Sequence, residues 1–487
     1  MTVLRLGQCP DATRELIGGK AFSINSMLTL GLPVPPAFVL GTDECTRYYA
    51  SDRKLAEDVL AELRSGIACL ESTLGRTFGA TNKPLLVSVR SGAPRSMPGM
   101  MDTVLNLGIN DSVETALREE TSDAEYAADT HRRFKEQFRK VVGSDPSPEP
   151  WDQLEAAVAA VFDSWHSPRA VAYRRHHGIS DDGGTAVTVQ AMVFGNLDDH
   201  SGTGVLFTRD PVTAQSAPLG EWLPRGQGED VVSGRCTPLT LGHLAESMPD
   251  VHRQLMDSAS LLERTFCDVQ DIEFTVESGH LWLLQTRSAK RSACAAVHHA
   301  VTFEKEGIVT PEGALSMISP DQLSAFLRPH LSPTARIGAT VLARGEVACP
   351  GVVTGIVVGT ADEAEEMAEQ GIDVILARPT TDPDDVHGIL AAKAIITEIG
   401  GATSHAAVVS REFNRACVVG CGEGSLMDLV GRNVTVDATS GEILDGFLEV
   451  EIPSKDTHPD LQVVTQWLAA SETGNDNPLN KILAAAH

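Results

Sequence analysis

The chain has 487 residues, 42% of them apolar and 22% charged, a composition typical of a globular protein of about three domains. Its 39 basic and 66 acidic residues give a formal net charge of −27, which disfavours a broad electrostatic interaction with nucleic acid. The nine scattered cysteines favour reduced thiols over a disulfide framework or a zinc site. Neither a signal-peptide core in Met1–Gln8 nor a membrane-spanning apolar run is visible, so a cytoplasmic location without a membrane partner is expected.

Apolar runs and turn residues define the predicted elements of the first half. Two glycines before Lys20 begin a helical pattern that extends to Leu30, where Gly31 ends it. A charged amphipathic pattern over residues 112–178 predicts helices, with a break at residues 143–150. The other predicted elements are a strand at 37–40, a helix at 53–75, and a buried strand at 85–90 that leads into a Gly/Pro/Met loop at 91–102.

The second half has the short period of strands. Strands are predicted at 185–194 and 204–208, and a hairpin at 271–276 and 281–286. Residues 291–340 have a helical, irregular pattern that suits a connector. A smaller α/β unit over residues 345–450 has predicted strands at 351–358, 374–377, 394–397, 416–419 and 433–437. The polar stretch from residue 453 to the end is expected to be loosely held.

Three features of the first half suit nucleotide phosphates. Lys20 lies at a predicted helix start, where backbone amides also favour anions, although a solvated lysine is the alternative. Arg90 is predicted to end an apolar strand and so to point into a cleft, with a structural salt bridge as the alternative. The flexible loop Ser96–Thr103 suits a lid over phosphates, and its three methionines argue against an ordinary surface turn.

The predicted hairpin carries a further set of candidates. Gln285 and Arg287 are two residues apart on one strand, and Glu273 lies on the facing strand, so their side chains are expected to converge. Glutamate and glutamine oxygens suit Mg²⁺, and an arginine suits a phosphate oxygen. The alternative is a cross-strand Glu–Arg pair on a solvated face.

His405 is the candidate nucleophile. Two glycines follow a buried strand, and Thr403 or Ser404 can cap a helix that begins near the histidine. The positive field at a helix start favours the neutral imidazole, and the same amides would stabilise a phosphate on the ring. The arrangement therefore fits a covalent phosphohistidine, although a packed or surface histidine is the commoner case. His387 is expected to lie nearby.

Several segments resemble pyruvate, phosphate dikinases and, less closely, phosphoenolpyruvate synthases and rifampin phosphotransferases. The resemblance extends from near residue 17 to about residue 445. The matching segments are IGGKAFSINSMLTLGLPVPPAFVL, LLVSVRSGAPRSMPGMMDTVLNLGIND, TVQAMVFGN, SGTGVLFTRDP, GQGEDVVSG, DVQDIEFTVESGHLWLLQTRSAKR and GGATSHAAVVSREFNRACVVGCG. Smaller departures from the family pattern are Ala402, where methionine is common, and Asp382.

The resemblance implies an α+β multidomain fold, in which an ATP-grasp nucleotide-binding domain is followed by an α/β swivelling phosphohistidine domain. The implied divisions are residues 1–290 for the ATP-grasp domain, 291–340 for a helical connector, 341–452 for the phosphohistidine domain and 453–487 for a C-terminal tail. The family continues into a barrel that binds pyruvate and phosphoenolpyruvate, and no residue of the present sequence can be assigned to that half-reaction.

The resemblance also implies roles for individual residues. Lys20, Arg90 and Arg287 would hold ATP phosphates, with the two arginines also acting in catalysis. Glu273 and Gln285 would hold Mg²⁺. Gln190 would lie near the adenine. Residues Gly99, Asp102 and Thr103 would belong to a phosphate lid. His405 would be phosphorylated, and Thr403 matches the position that a regulatory kinase modifies in plant members.

The predicted function is therefore an ATP- and Mg²⁺-dependent phosphorylation of His405. In the dikinase-like version, phosphate accepts the γ-phosphoryl group and AMP leaves, and a separate pyruvate/phosphoenolpyruvate-binding protein takes the phosphoryl group from His405. One alternative is a phosphohistidine enzyme that acts on another small molecule. The other is a non-catalytic nucleotide-binding phosphocarrier or regulatory module.

Overall fold

A computed structural model describes residues 3–95, 97, 100–228, 230, 238–327, 330–331, 338–451, 458–471 and 477–485. The chain divides into two compact units. Unit 1 comprises residues 1–203, 224–227 and 273–286, and unit 2 comprises residues 204–223, 228–272 and 287–487. The domain boundaries inferred from the sequence, at residues 290, 340 and 452, stay predictions.

A five-stranded antiparallel sheet with helices around it forms most of unit 1. Its helices are α1 (Arg14–Thr29), α2 (Thr42–Ala50), α3 (Glu57–Leu74), α4 (Asp111–Thr121), α5 (Ala124–Val142), α6 (Pro150–Ser164) and α7 (Pro168–His176). The strands of this part of unit 1 are β1 (Val3–Arg5), β2 (Ala37–Leu40), β3 (Thr77–Phe78), β4 (Pro84–Leu85), β5 (Val87–Gly92), β6 (Thr103–Leu107) and β7 (Ala186–Ala191). The sheet order is β1-β2-β7-β5-β6, and β3 pairs separately with β4. Helices α4–α7 confirm the helical prediction for residues 112–178 and its break before Pro150.

The position of Arg90 within its strand differs from the prediction. The sequence pattern ended the strand at Arg90, but β5 continues to Gly92 because β7 pairs with it as far as Gly92 and Ala186. Arg90 therefore lies inside the sheet, opposite Thr103 of β6 on one side and Thr188 of β7 on the other. The pairing of β5 with β7 accounts for the two extra residues, and a local sequence pattern does not contain that pairing.

A second sheet of five strands contains the predicted hairpin. Its strands are β8 (Gly202–Phe207), β9 (Leu219–Pro224), β10 (Leu239–Thr240), β11 (Gln270–Glu277) and β12 (His280–Ser288), in the order β10-β9-β8-β11-β12. Ser278 and Gly279 form the hairpin turn, both with positive φ. Two helices, α8 (Leu241–Ser247) and α9 (Pro249–Phe266), precede the hairpin.

An eight-stranded sheet forms the α/β part of unit 2. Two short strands, β13 (His330–Leu331) and β22 (Val450–Glu451), form a separate pair. In the sequence they come before and after the strands of this sheet. The sheet consists of β14 (Val341–Arg344), β15 (Glu346–Cys349), β16 (Val352–Val358), β17 (Val374–Arg378), β18 (Ala394–Thr397), β19 (Ala416–Val419), β20 (Asn433–Asp437) and β21 (Glu442–Asp445). Its order is β14-β21-β20-β16-β17-β18-β19-β15, with β16 to β19 parallel.

Alternate residues of this sheet fill two apolar cores. Val357, Ile375 and Ile396 belong to one core, and their neighbours Val358 and Leu376 belong to the other. This two-sided burial explains why the parallel strands have continuous apolar sequences. The helices of this region are α13 (Ala361–Glu369), α14 (Val386–Ala391) and α15 (His405–Glu412). Because α15 directly follows the loop after β18, the sheet places His405 at the carboxyl edge of a parallel strand.

The C-terminal stretch is not loosely held in its described part, so that expectation is wrong. The connector forms α10 (Ala293–Lys305), α11 (Pro311–Ser316) and α12 (Pro320–Phe326), and the tail forms α16 (Pro459–Ala470) and α17 (Pro478–Ala485). Leu461, Val464 and Leu468 share one buried stripe of α16 and pack with residues of the connector, including Val297. Connector and tail thus share one core, which a reading of polar composition misses.

Replacement of Leu461 by alanine is expected to lower the free energy of unfolding of this helical region by roughly 2–5 kcal/mol, because Leu461 is fully buried. Gln466→Ala on the exposed side of the same helix is the control and should change stability by less than about 0.5 kcal/mol. Urea unfolding followed by circular dichroism measures both. Equal stability of the two variants would contradict the packing of α16.

The described residues contain no helix that is both long and apolar enough to cross a membrane. The eight cysteines in the described part of the chain are all free thiols.

Candidate active site

Arg90 is the centre of a polar cluster in unit 1. Its guanidinium donates to the Gln190 side-chain oxygen at 3.4 Å and to the Gln285 side-chain oxygen at 3.2 Å. A carboxylate oxygen of Glu273 lies 3.6 Å from the same guanidinium. The side chains of Arg90 and Glu273 are only 15% and 31% exposed. The structure therefore brings together four residues that the sequence singled out, from β5, β7 and the hairpin.

Gln190 is fixed within the sheet. It is buried, and its amide nitrogen donates to the Pro35 carbonyl at 3.1 Å, while its oxygen accepts from Arg90. Both ends of the side chain are thus committed to protein partners. The place near the adenine that the resemblance implies for Gln190 stays a prediction.

Helix α1 is joined closely to the end of β5. Gly18 interrupts α1 with φ 75° and ψ 161°, but the helix begins at Arg14, before the start that the glycine pair predicted, because Thr13 caps it there. The Gly19 N–H donates to the Ala93 carbonyl at 2.9 Å. A Cβ built on Gly92 would lie 3.8 Å from the Cβ of Lys20. Lys20 therefore lies beside the strand that carries Arg90.

Gly18→Ala is expected to disrupt this junction. A Cβ at Gly18 would lie 1.9 Å from the Gly92 carbonyl oxygen, and the residue has positive φ. Positive φ alone costs a non-glycine residue about 1–3 kcal/mol, and the steric overlap adds to that cost. We expect a loss of stability and at least a roughly tenfold loss of ATP affinity, since a displaced α1 carries Lys20 away.

Gly31→Ala is the matched control for this prediction. Gly31 also has positive φ, 74°, but no atom lies within 4 Å of a Cβ built there. Calorimetric ATP titration and thermal unfolding of both variants separate the steric effect from the conformational one. A Gly18→Ala protein that binds ATP as well as the Gly31→Ala protein would contradict the assignment of this junction to the nucleotide site.

The loop predicted to be a phosphate lid is described in part. Asp102 forms an ion pair with Arg169, whose Nε also donates to the Met100 carbonyl at 3.2 Å. Thr103 begins β6 directly opposite Arg90. Gly99 lies outside the described residues. Two of the three residues assigned to the lid thus stand beside the Arg90 cluster, and their role as a lid stays a prediction.

The donor set of this cluster fits a magnesium ion. Glu273 and Gln285 offer carboxylate and amide oxygens, the hard ligands that Mg²⁺ prefers. The Glu273 carboxylate and the Gln285 side-chain oxygen both lie beside the Arg90 guanidinium. Among the described residues, neither accepts a hydrogen bond from a backbone group. The chemistry of these residues is therefore compatible with the role that the sequence predicts for them.

Arg287 has a different partner in the structure. Its Nε donates to Asp271 Oδ2 at 2.8 Å within unit 2. Asp271 is buried, and its other oxygen has no hydrogen-bond partner among the described residues. Sequence reasoning missed Asp271, although its position two residues before Glu273 on the same strand was an available signal. The contact of Arg287 with ATP phosphate stays a prediction.

His405 is the first residue of α15. Ser404 is the N-cap, and its hydroxyl accepts from the Ala407 N–H at 3.4 Å, so the predicted cap is confirmed. The Thr381 hydroxyl lies 3.4 Å from His405 Nδ1. The other ring nitrogen, Nε2, is buried and has no hydrogen-bond partner among the described residues. Thr381 therefore orients the ring through one nitrogen and leaves the other available for chemistry.

The environment of His405 favours the neutral imidazole. Burial lowers the pKa of His405 below its ordinary value, and Asp382 and Asp385 oppose that shift. Asp385 is itself paired with Arg378, with atoms 3.2 Å apart. The nearest carboxylates thus only partly offset desolvation, and the nucleophilic form persists to lower pH than in a solvated histidine.

The loop before His405 is tied to β9. The Thr403 hydroxyl donates to the carboxylate of Glu221, and both residues belong to unit 2. A Cβ on Gly401 would lie 2.7 Å from a Glu221 oxygen. Burial raises the pKa of Glu221, while the bond from Thr403 lowers it. Sequence reasoning missed Glu221, which lies 182 residues from its partner and has no local signal.

These sites define a class of protein with two features. One is a cluster of cationic and oxygen-bearing side chains of the kind that binds nucleotide phosphates, and the other is an α/β region with a histidine at the start of a helix. Residues 55–249 match the family model described as "Pyruvate phosphate dikinase, AMP/ATP-binding domain". Residues 371–441 match the "PEP-utilising enzyme, mobile domain". The second match includes His405 and its loop.

Comparisons over most of this chain give similar results. The chain is 40% identical to the pyruvate, phosphate dikinase of Clostridium symbiosum over 90% of this chain and 57% of that protein. It is 39% identical to the pyruvate, phosphate dikinase of Rhizobium meliloti over 94% of this chain and 58% of that protein. For the chloroplastic pyruvate, phosphate dikinase 1 of Arabidopsis thaliana the values are 38%, 94% and 53%. The chain is thus similar to pyruvate, phosphate dikinases over most of its own length and spans a little over half the length of these relatives.

Proposed function

We propose that this chain performs the nucleotide half-reaction of a pyruvate, phosphate dikinase, in which ATP phosphorylates His405 and AMP is released. The observation that carries the proposal is the His405 site, where one ring nitrogen faces the Thr381 hydroxyl and the other has no hydrogen-bond partner among the described residues. The match of residues 55–249 to an AMP/ATP-binding domain and the similarity to pyruvate, phosphate dikinases support the choice of ATP as the phosphoryl donor.

The residues of the Arg90 cluster would bind the nucleotide. Arg90 and Lys20 would contact phosphate oxygens, and Arg287 would add a third cation, each through charge-assisted hydrogen bonds. Mg²⁺ held by Glu273 and Gln285 would offset the phosphate charge. In such a reaction the protein acts mainly by positioning the groups and by stabilising charge.

The phosphoryl transfer follows from the tautomer of His405. With Nδ1–H donating to Thr381, Nε2 holds the lone pair that attacks the β-phosphorus. The bond between the α,β-bridging oxygen and the β-phosphorus breaks, AMP leaves, and His405 carries a pyrophosphoryl group. Inorganic phosphate then takes the γ-phosphoryl group as pyrophosphate, and a phosphohistidine remains. Because Nε2 is buried, the groups that cover it must move before the attack.

The phosphohistidine needs an acceptor. The relatives are named for pyruvate and phosphate, so we propose pyruvate as the final acceptor, bound by a barrel-type domain. A pull-down from the source organism with phosphorylated protein tests this part. Transfer of label to another small molecule, with no barrel-type protein retained, would favour the alternative phosphohistidine enzyme.

A single-turnover incubation with ATP, Mg²⁺ and phosphate tests the central proposal. Intact mass, the modified peptide and the nucleotide product are measured together. Base-stable, acid-labile phosphate on His405 with release of AMP is the expected result. ADP with the same phosphopeptide would indicate γ-transfer by a simpler kinase. ATP binding without any phosphoprotein, even when a candidate partner is added, would contradict the enzyme and favour a regulatory module.

Thr403 is the proposed regulatory phosphosite. A phosphate there would replace the hydroxyl that donates to Glu221 and would set two anions against each other. We expect Thr403→Glu to lower the rate of His405 phosphorylation at least about tenfold, whereas Thr403→Ser, which keeps the donor, should stay within about threefold of the parent chain. Rapid-quench labelling with ATP measures both rates. Equal rates would remove the regulatory assignment.

A further inference from the structure

Arg411 is a buried cation that the proposed reaction does not use. It lies on α15, six residues after His405, and is only 4% exposed. Within the described part of the chain no carboxylate lies within ion-pair distance of its guanidinium, and Nε has no acceptor. A buried guanidinium without an ionic partner is costly, and burial lowers the pKa of Arg411. Such a residue requires an explanation beyond filling space.

The two terminal nitrogens of Arg411 bind two separate backbone carbonyls. NH2 donates to the Ala402 carbonyl at 2.9 Å, and NH1 donates to the Ala348 carbonyl at 3.0 Å. Ala402 lies in the loop before His405, and Ala348 lies on β15. Arg411 therefore connects the loop, the edge strand and the helix that His405 begins.

Ala402 is held from its other side as well. Burial raises the pKa of Glu346, which lies on β15 with Ala348, and the backbone N–H of Ala402 opposes that shift. The Ala402 peptide thus lies between a cationic side chain, which donates to its carbonyl, and an anionic one, which its N–H influences. We call Glu346, Arg411 and the Ala402 peptide between them the loop brace.

The loop has a reason to need a brace. Gly400 has φ 122°, outside the range that other residues adopt easily, and only four residues separate it from His405. The single described backbone bond within the turn runs from the Ser404 N–H to the Gly401 carbonyl at 3.0 Å. A turn with so few internal bonds depends on its surroundings for its position, and Ser404 then fixes the start of α15.

We propose that Arg411 is a positioning residue for phosphorylation of His405, acting through the Ala402 peptide rather than by contact with ATP. This inference rests on the proposed function. Lysine cannot replace Arg411, because a single ammonium lacks the planar fork that reaches two carbonyls of different segments. The loss of such positioning lowers the rate of the chemical step while ATP binding in unit 1 is left unchanged.

The test compares Arg411→Lys with Arg415→Lys. Arg415 follows the same helix and also donates to a backbone carbonyl, that of Leu390 at 2.8 Å, so it is a chemically matched control. We expect Arg411→Lys to slow His405 phosphorylation about 10- to 100-fold with a change in ATP dissociation constant below about twofold. Arg415→Lys should stay within about threefold of the parent rate.

Two further measurements separate positioning from general destabilisation. Guanidinium at millimolar concentration is expected to restore part of the rate of Arg411→Ala, whereas methylammonium is not. Hydrogen exchange of the peptide that contains residues 400–405 should accelerate in Arg411→Lys and not in Arg415→Lys. If Arg411→Ala does not fold, Glu346→Gln serves as the second variant and is also expected to slow phosphorylation, since it removes the negative charge beside the Ala402 N–H.

The outcomes distinguish this inference from the proposed function. If the parent chain forms no phosphohistidine, the proposed function fails, and the hydrogen-exchange comparison alone decides whether the brace holds the loop. If the parent chain is phosphorylated and Arg411→Lys reacts equally fast with unchanged exchange, the inference is wrong. Equal loss in Arg411→Lys and Arg415→Lys would also overturn it, because the effect would then be general to the helix.

Discussion

His405→Asn is expected to abolish phosphoenzyme formation while ATP affinity changes less than about twofold. The substitution removes the nucleophilic nitrogen and none of the residues of the Arg90 cluster in unit 1. Rapid-quench labelling with radioactive ATP measures the first effect, and calorimetric titration measures the second. Asparagine keeps a polar group opposite Thr381, so the loop should retain its position.

His387→Asn is the control for this prediction. His387 is a half-buried histidine of unit 2 paired with Asp362 at 2.9 Å, and nothing in the structure assigns it to the reaction. Its variant should be labelled like the parent chain. Stoichiometric labelling of His405→Asn would show that another residue is the nucleophile.

In the parent chain, the rate of His405 phosphorylation should stay on its plateau at pH values below the ordinary histidine pKa. Burial lowers the pKa of His405, so its protonation begins only at lower pH.

Arg90→Met is expected to reduce the rate of His405 phosphorylation by about 10²- to 10³-fold, the usual effect of removing one charge-stabilising donor. ATP affinity should fall as well, since the ground-state phosphates also lose a cation. The variant leaves Gln190, Gln285 and Glu273 without their common partner, and Glu273 is exposed enough to be hydrated instead. Single-turnover rates over a range of ATP concentrations separate the effect on binding from the effect on transfer.

Two companions sharpen the test of Arg90. Arg90→Lys keeps the charge without the fork and should recover only part of the activity. Arg47→Met removes a surface pair with Asp58 and should leave the reaction unchanged. If Arg90→Met phosphorylates His405 at the parent rate, the cluster is a structural salt bridge, which is the alternative that the sequence left open.

The sequence by itself determined the elements that depend on local pattern. Continuous apolar runs predicted the parallel strands β16 to β19, because strands covered on both faces need no polar side chains. The cap of the His405 helix was predicted at Thr403 or Ser404 and is Ser404. The glycine pair before Lys20 predicted a helix start, but the structure has only a break at Gly18 within a helix that begins at Arg14. The Ser404 cap joins groups only three residues apart, so the local pattern contains its whole cause.

Part of the candidate site was also predictable. Alternation along two paired strands was enough to expect Glu273 and Gln285 on one side, and both contact Arg90. The same argument placed Arg287 with them, but its described partner is Asp271. A pattern gives the face of a strand and not which of several oppositely charged neighbours forms the pair.

The tertiary structure alone decided the contacts between distant segments. Glu221 meets Thr403 across 182 residues, Arg411 binds Ala348 across 63, and the tail helix α16 completes the core of the connector. β5 extends beyond Arg90 because a strand almost one hundred residues later pairs with it. Such contacts form because buried polar groups must find partners and apolar faces must be covered, wherever in the chain the partner lies. Local sequence shows that a group needs a partner, and only the fold determines which residue it is.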